Sequence, residues 1–321
     1  MFCRRSVIPA HPKDINFLLA RFLKRPVNEL PIGPVIEPAV SMSIRPEDPV
    51  TSGPTISPLA VVDPKAKIGE ACEIGPFCIV GPDVVLGAGC KLLSHVVISG
   101  HTTVGCGNVF FPHAVIGAAP QDKKFHGEPT RLEIGDRNSI REAVTIHLGT
   151  EVGGGVTRVG DDNLLMVNVH LGHDCQVGSR TTLSNNVMLA GHVAVGNNVV
   201  MSGGAAAHHF VTIGDFAFIA GMAQLHHDVP PFMKVSDKDK IRALNNEGLK
   251  RAGIPAADID AIEEAGRRLF FNRSKPMARV LADFDLQPEI HPLVKQLVEF
   301  IRRRDSGKHG RYLEGKRPKK S

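Results

Sequence analysis

"IGEACEIGPFCIVGPDVVLG", residues 68 to 87, sets an aliphatic residue at every sixth position (Ile68, Ile74, Val80, Leu86), each followed by glycine. The step of six extends both ways: Ile56 and Val62 precede it, and Leu92, Ile98, Val104, Phe110 and Ile116 follow. It resumes at Ile134, Ile140 and Ile146. After a step of thirteen, one residue out of phase, it runs from Val159 through Leu165, Leu171, Val177, Leu183, Leu189, Val195, Met201, Ala207, Ile213 and Ile219 to Leu225. A helix repeats its apolar face every three to four residues and a lone strand every two, so a sustained period of six marks a repeat architecture. One inward aliphatic and one tight corner describe one flat side of a triangular prism. Three sides, or eighteen residues, close a coil, and stacked coils pair as parallel strands about 4.8 Å apart.

This pattern resembles the hexapeptide repeat of left-handed parallel β-helices. The hand is implied by the resemblance, since parallel crossovers are right-handed by default. The expected organisation is an N-terminal extension over 1–54, largely flexible, and a mainly β prism over 55–235. A helical C-terminal domain over 236–305 and a basic tail over 306–321 complete it. Two stretches should loop out of the prism: "AAPQDKKFHGEPTR" (118–131) is long and polar, and "GTEVGGGVTR" (149–158) absorbs the phase slip. Beyond the hexads, "AADIDAIEEAGRRLFF" (256–271) and "HPLVKQLVEFIRRR" (291–304) carry helical spacing.

Aromatic residues make up only 5% of the 321-residue chain, with no Trp and the single Tyr at Tyr312, while Gly reaches 32, which suits a narrow aliphatic core with tight turns. The formal charge is +5, but residues 302–321 hold nine Lys or Arg against Asp305 and Glu314, so the basic character belongs to the tail and the remainder is slightly acidic. Such a tail reads as a solvated end rather than a nucleic-acid arm. The six cysteines show no C-x-x-C spacing, and no run of 18 apolar residues exists to span a membrane. A reducing, cytoplasmic compartment is expected. Cys72 and Cys90, eighteen apart, should stack across coils as buried thiols. Residues 1–54 read as an extension, an Arg-rich transit segment or a leader upstream of an alternative start at Met42.

"LLMVNVHLGHDCQVG" (164–178) gathers His170, His173 and Asp174. With eighteen residues per coil, Gly191 stacks over His173, His192 over Asp174, and His208 over Ala190. An imidazole is the usual general base near neutral pH, an adjacent carboxylate can hold its tautomer, and a neighbouring glycine N–H can stabilise an oxyanion. Together these roles describe acyl transfer. Three histidines, His170, His173 and His192, also admit a zinc site of the γ-carbonic-anhydrase kind, although the spacing of three between His170 and His173 fits it poorly. A non-catalytic scaffold is the third reading. His95, His101, His113 and His291 read as solenoid corners and surface, while the pairs His208-His209 and His226-His227 fit either reading.

The stretches "IGPFCIVGP", "SHVVISGHT", "GEPTRLEIGDRNSIREAVTIH", "DNLLMVNVHLGHDCQVG", "LAGHVAVG", "DVPPF" and "NNEGLKRAG" resemble the family of acyl-carrier-protein-dependent UDP-N-acetylglucosamine O-acyltransferases, over roughly residues 55 to 255. The resemblance implies transfer of a (3R)-hydroxyacyl chain from an acyl carrier protein to the sugar 3-hydroxyl, the first step of lipid A biosynthesis. It implies His173 as base, Asp174 as its orienting acid and Gly191 as oxyanion donor. Substrate contacts are implied at Asp122, Lys124, His147, His170, His192, His208 and His209, with Asn245, Glu247 and Arg251 gripping the nucleotide sugar. Gly221 and Met222 fall at the acyl-chain ruler, and Lys250, Arg251, Arg267 and Arg268 are positioned to steer an acidic carrier. No metal or cofactor, no nucleic-acid partner and a homotrimer are implied. The chain departs from the family pattern at His209, where the family has Gln, and at Ala252, where it has a second Arg. A 3-amino UDP-sugar acceptor therefore stays open.

Overall fold

A computed structural model describes residues 53–272, 274–287 and 289–317, so the expectation for residues 1–54 lies outside the described residues except at 53 and 54. The hexads build the three faces of a left-handed parallel β-helix, sheets of eleven, nine and eight strands among the described residues, the largest ending in two strands that follow the last hexad. Each hexad contributes a short strand whose last residue points inward, as in His170–Leu171 and Gln176–Val177. Register joins residues eighteen apart: His170 lies beside Met188 and Leu171 beside Leu189. The residue two before each repeat position is inward as well (Val169, Cys175, Val187, Val193), the period-two alternation of a strand. The core is thus one aliphatic column. Cys72 and Cys90 sit in it as buried free thiols.

The corners explain where polar residues recur. Asp162, Asn168, Asp174, Arg180, Asn186, His192 and Asn198, six apart, all adopt left-handed backbone with φ between 56° and 63°. That region is costly for most residues and favours Asn, Asp and His, whose short polar side chains bond locally. Asp174 and His192 are therefore placed by a backbone requirement before any chemistry is asked of them.

Both expected loops leave the prism. Arg131 pairs with His101 and Val156 with Arg131, separations of 30 and 25 where an uninterrupted coil gives 18. Beside these interruptions runs a buried ladder: Asn108 Oδ1 accepts the Asn138 N–H at 2.9 Å, Asn138 Oδ1 the Asn163 N–H at 2.9 Å, and Asn163 Oδ1 the Thr181 N–H at 2.7 Å. Each amide inside the coil thereby finds its partner.

Two boundaries differ from expectation. The helical domain does not start at 236: Met233–Ser236 and Lys240–Leu244 form an antiparallel hairpin, because Asp237 and Asp239 take left-handed conformations that turn the chain back. Helices follow at Asn246–Arg251 (α1), Ala256–Gly266 (α2), Met277–Asp285 (α3), Pro292–Ser306 (α4) and Tyr312–Gly315 (α5). They enclose a second core around Met233, Leu249, Ile262 and Leu297. The basic tail is not a loose end through residue 317. Arg311 is only 8% exposed, pairs with Glu314 and donates from Nη1 to the His226 carbonyl at 2.6 Å. The Tyr312 N–H donates to Asp228 Oδ2 at 2.8 Å. A buried carboxylate needs donors, and the tail supplies one of them. Among the described residues no helix is long and apolar enough to cross a membrane.

Candidate active site

His173 and Asp174 meet at the corner where coil stacking puts them beside Gly191 and His192. His173 Nδ1 lies 2.7 Å from Asp174 Oδ2. A carboxylate only accepts, so Nδ1 carries the hydrogen and Nε2 keeps its lone pair. The imidazole lies directly over Gly191: a Cβ added there would fall 2.5 Å from His173 Cε1 and 2.6 Å from Nε2. The His192 N–H is spent on the His173 carbonyl at 2.9 Å, whereas among the described residues the Gly191 N–H meets no backbone acceptor. His173, Asp174 and the Gly191 N–H thus lie together, where eighteen-residue stacking places them.

Asp174 is held by more than His173. Its Oδ1 accepts the Thr150 N–H at 2.7 Å, its Oδ2 accepts the Thr150 hydroxyl at 2.6 Å, and its own N–H donates to Thr157 Oγ1 at 2.8 Å. Burial pushes the carboxyl up, but the hydrogen bonds from His173 and Thr150 outweigh it and hold Asp174 below the ordinary carboxylate range. It is 4% exposed and stays ionised beside the imidazole. The triglycine loop makes this contact possible, since a Cβ on Gly153 would occupy the space of the Asp174 carboxylate. Thr150 and Gly153 were not singled out from the sequence; Thr150 lies 24 residues from its partner. The run of three glycines was the available sign of a close approach.

His173 opens into a recess of about 120 Å³ lined with Gln121, His147, His170, Ala190, Gly191 and His209. His147 Nδ1 bonds the Ala119 carbonyl at 2.8 Å, and His170 Nδ1 bonds the Thr145 hydroxyl at 2.8 Å. Burial lowers the pKa of both His170 and His209, favouring uncharged rings. His192 faces a different space, a groove of about 410 Å³ shared with Asp122, Lys124, Asp174 and Phe210. Its ring stands edge-on to His173 with centroids 5.0 Å apart and stacks on Phe210 at 4.4 Å. Burial pushes its pKa down to about 4, so it is neutral at pH 7. Phe210 is a further neighbour the sequence reading did not select.

The other expected contacts lie apart. His208 is exposed on the next coil. Asn245 caps α1, its Oδ1 accepting the Gly248 N–H at 3.3 Å, and its Nδ2 donates to the Phe216 carbonyl at 2.8 Å, so its amide is spent within the chain. Glu247 and Arg251 lie in the first and last turns of α1. Gly221 and Met222 belong to another edge of the prism, where the Met222 N–H bonds Gly203 and the Gly204 N–H bonds Asn185. Of the four basic helix positions, Arg267 pairs with Glu264 at 2.7 Å and Arg268 sits over Phe284 at 4.1 Å, whereas Lys250 and Arg251 make no ion pair among the described residues.

Among the described residues, His173, Asp174 and His192 are close enough together to be considered for a metal ion, with ligand atoms within 4.8 Å of one another. Two donors on one tetrahedral zinc stand about 3.3 Å apart, given bonds of about 2.0–2.1 Å. The 2.7 Å between His173 Nδ1 and Asp174 Oδ2 is instead a direct charge-assisted hydrogen bond. His170, the remaining ligand of the zinc expectation, is bonded to Thr145. What converges is a hydrogen-bonded imidazole–carboxylate pair with a second imidazole beside it.

Comparison with known proteins follows the same lines. Residues 228–310 match the family model described as UDP N-acetylglucosamine O-acyltransferase, domain 2, and residues 53–100 match that of the bacterial transferase hexapeptide with six repeats. A curated acyl-[acyl-carrier-protein]--UDP-N-acetylglucosamine O-acyltransferase from Janthinobacterium sp. (strain Marseille) is 45% identical over 251 residues, 77% of this chain and 95% of that protein. The solved UDP-N-acetylglucosamine O-acyltransferase of Moraxella catarrhalis superposes with a TM-score of 0.73 at 40% identity, covering 76% of this chain and 95% of that one. The Francisella novicida UDP-N-acetylglucosamine acyltransferase gives 0.74 at 37% identity, covering 77% and 91%.

Proposed function

The chain belongs to the family of acyl-[acyl-carrier-protein]--UDP-N-acetylglucosamine O-acyltransferases, and from that premise we propose how its residues carry out the reaction. The protein is an acyltransferase that moves a (3R)-hydroxyacyl chain from acyl carrier protein to the 3-hydroxyl of UDP-N-acetylglucosamine, the first step of lipid A biosynthesis. His173 Nε2 takes the proton of the sugar hydroxyl as its oxygen attacks the thioester carbonyl. The resulting oxyanion accepts the Gly191 N–H, and Asp174 stabilises the imidazolium. Collapse breaks the C–S bond, and His173 returns the proton to the departing thiolate, leaving an ester and a free thiol.

The observation that carries this reading is the 2.7 Å bond from His173 to a buried, ionised Asp174, which turns Nε2 over Gly191. Mass spectrometry of UDP-N-acetylglucosamine incubated with a ladder of hydroxyacyl carrier proteins tests it: a product heavier by one hydroxyacyl group and cleaved by mild alkali is expected. A 3-amino UDP-sugar offered in a parallel incubation would give an alkali-resistant amide, and product from that acceptor alone would move the assignment to the amino sugar. No product from any donor would overturn the assignment.

The working unit is a homotrimer in this reading. The His173 recess, about 120 Å³, is smaller than the about 300–1,000 Å³ of ligand pockets in general. Glu247, Arg251 and Met222 stand away from it, and Met222 is 76% exposed. A neighbouring copy against this face would enlarge the recess and bring such residues to it, and cyclic symmetry closes three copies around a triangular prism. Light scattering should return three times the chain mass; a monomer mass would contradict it. The free thiols of Cys72, Cys78, Cys90, Cys106 and Cys175 support a reducing, cytoplasmic location.

A further inference from the structure

The family model ends at residue 310, yet the following segment returns to the catalytic corner. Asp228, 4% exposed, is its anchor: Oδ1 accepts the Thr212 N–H at 2.7 Å, Oδ2 accepts the Tyr312 N–H at 2.8 Å, and the Asp228 N–H donates to the Gly310 carbonyl at 2.8 Å. Arg311, buried beside it, ties the same turn to the His226 carbonyl. From this clamp, α5 lays Leu313, Lys316 and Arg317 along the wall of the 410 Å³ groove that contains Asp174, His192 and Phe210. The Arg317 guanidinium stands 5.7 Å from the Phe210 ring centre, and Phe210 stacks on His192.

The charges in this groove are unevenly used. Arg158 is paired with Glu133 at 2.7 Å. Asp122 Oδ1 accepts the Lys124 N–H at 3.0 Å, and Glu128 accepts the His126 N–H at 3.0 Å. Lys124, Lys316 and Arg317 line the same groove, and none forms a salt bridge among the described residues. Glu151 also lines the groove, and like Asp122 and Glu128 it forms no salt bridge among the described residues. Asp122 and Glu128, however, are turned back onto backbone N–H groups of their own loop. That leaves Lys124, Lys316 and Arg317, on two different segments facing one space, to meet an anion with several acceptor oxygens.

We infer that the segment Gly310–Arg317 is a wall of the substrate site, and that Lys316 and Arg317, with Lys124 across the groove, form a subsite for a phosphate group of a substrate. The inference rests on the acyl-transfer reading for the identity of that phosphate, which has two sources. One is the diphosphate of the nucleotide sugar. The other is the phosphodiester through which a carrier protein holds its acyl-bearing arm.

Calorimetric titration of the full chain with UDP and, separately, with 4′-phosphopantetheine distinguishes them. It needs no turnover, so failure of the subsite and failure of the acyl-transfer assignment are read separately. In K316A/R317A the Kd of one probe is expected to rise about tenfold or more: that of UDP if the groove takes the diphosphate, that of phosphopantetheine if it takes the phosphodiester. K316R/R317K, which keeps the charges, should recover most of the loss, a rescue that a merely structural role of the segment would not give. Values within twofold of wild type for every probe that binds, failure of both probes to bind wild type, or an equal loss in both double variants would overturn the proposal.

Discussion

Replacing Gly191 by alanine isolates the position of the base from every other feature of the site. The substitution keeps the Gly191 N–H, and because Gly191 does not have a positive φ, alanine is compatible with its backbone. What changes is space: the new methyl carbon would sit 2.5 Å from His173 Cε1 and 2.6 Å from Nε2, where ordinary contact is 3.4–4 Å. The ring or the coil must therefore give by about 1 Å, and a misplacement of about 1 Å in a reacting group costs about 10²-fold in rate, or about 2.7 kcal/mol of transition-state stabilisation. The neighbouring bond from the His192 N–H to the His173 carbonyl, at 2.9 Å, holds the coils together in the variant. Steady-state acyl transfer should show kcat down about 100-fold. The urea midpoint should fall as well, because overpacking against the ring costs about 1–3 kcal/mol, offset in part by about 0.4–1 kcal/mol through the unfolded chain, so kcat is compared without denaturant, where both proteins are folded. A kcat within threefold of wild type would refute the claim that His173 must rest over Gly191.

Two further outcomes follow from the same geometry. Thr150→Val removes the 2.6 Å bond from the hydroxyl to Asp174, a loss of about 1.5–3 kcal/mol for a hydrogen bond to a charged group. The folded carboxyl lies below its unfolded value, so its contribution to stability is complete above the unfolded carboxylate range and is lost as pH falls through the folded value. The variant raises that folded value toward the unfolded one, so its urea midpoint should start lower at pH 7 and fall less between pH 7 and 3 than that of wild type. Superimposable curves would contradict the clamp. For the metal question, prolonged dialysis against EDTA should leave acyl transfer unchanged, and elemental analysis should find well under one zinc per chain; activity lost to EDTA and restored by zinc would reverse the reading of the His173, Asp174 and His192 cluster.

The prism was legible because its rule is local and repeats: an inward aliphatic every six residues, and a corner whose left-handed backbone selects Asn, Asp, His or Gly. The juxtaposition of His173 with Gly191 and of Asp174 with His192 followed from the same arithmetic. Handedness did not, since spacing is the same for either hand. The Asn108, Asn138 and Asn163 ladder was hidden because the loops stretch its steps to 30 and 25 residues. Thr150 was hidden for a related reason, as its bond to Asp174 joins a loop to a corner 24 positions away. The hairpin from Met233 to Leu244 was missed because its turn is made by Asp237 and Asp239 in left-handed conformations, without the Gly or Pro that would mark it. Arg311 looked like one cation in a solvated run, and only its proximity to His226, 85 residues upstream, makes it a buried anchor.

The central claim is that His173, held by Asp174, removes the proton of the attacking hydroxyl. Single-turnover acyl transfer, with wild type and His173→Ala compared at equal enzyme concentration and equal thermal stability, tests it most directly. The account predicts that the alanine variant loses about 10²–10⁴-fold in rate, the range for a positioned general base, while its melting temperature and oligomeric mass stay those of wild type. A folded His173→Ala protein turning over within threefold of wild type would contradict it.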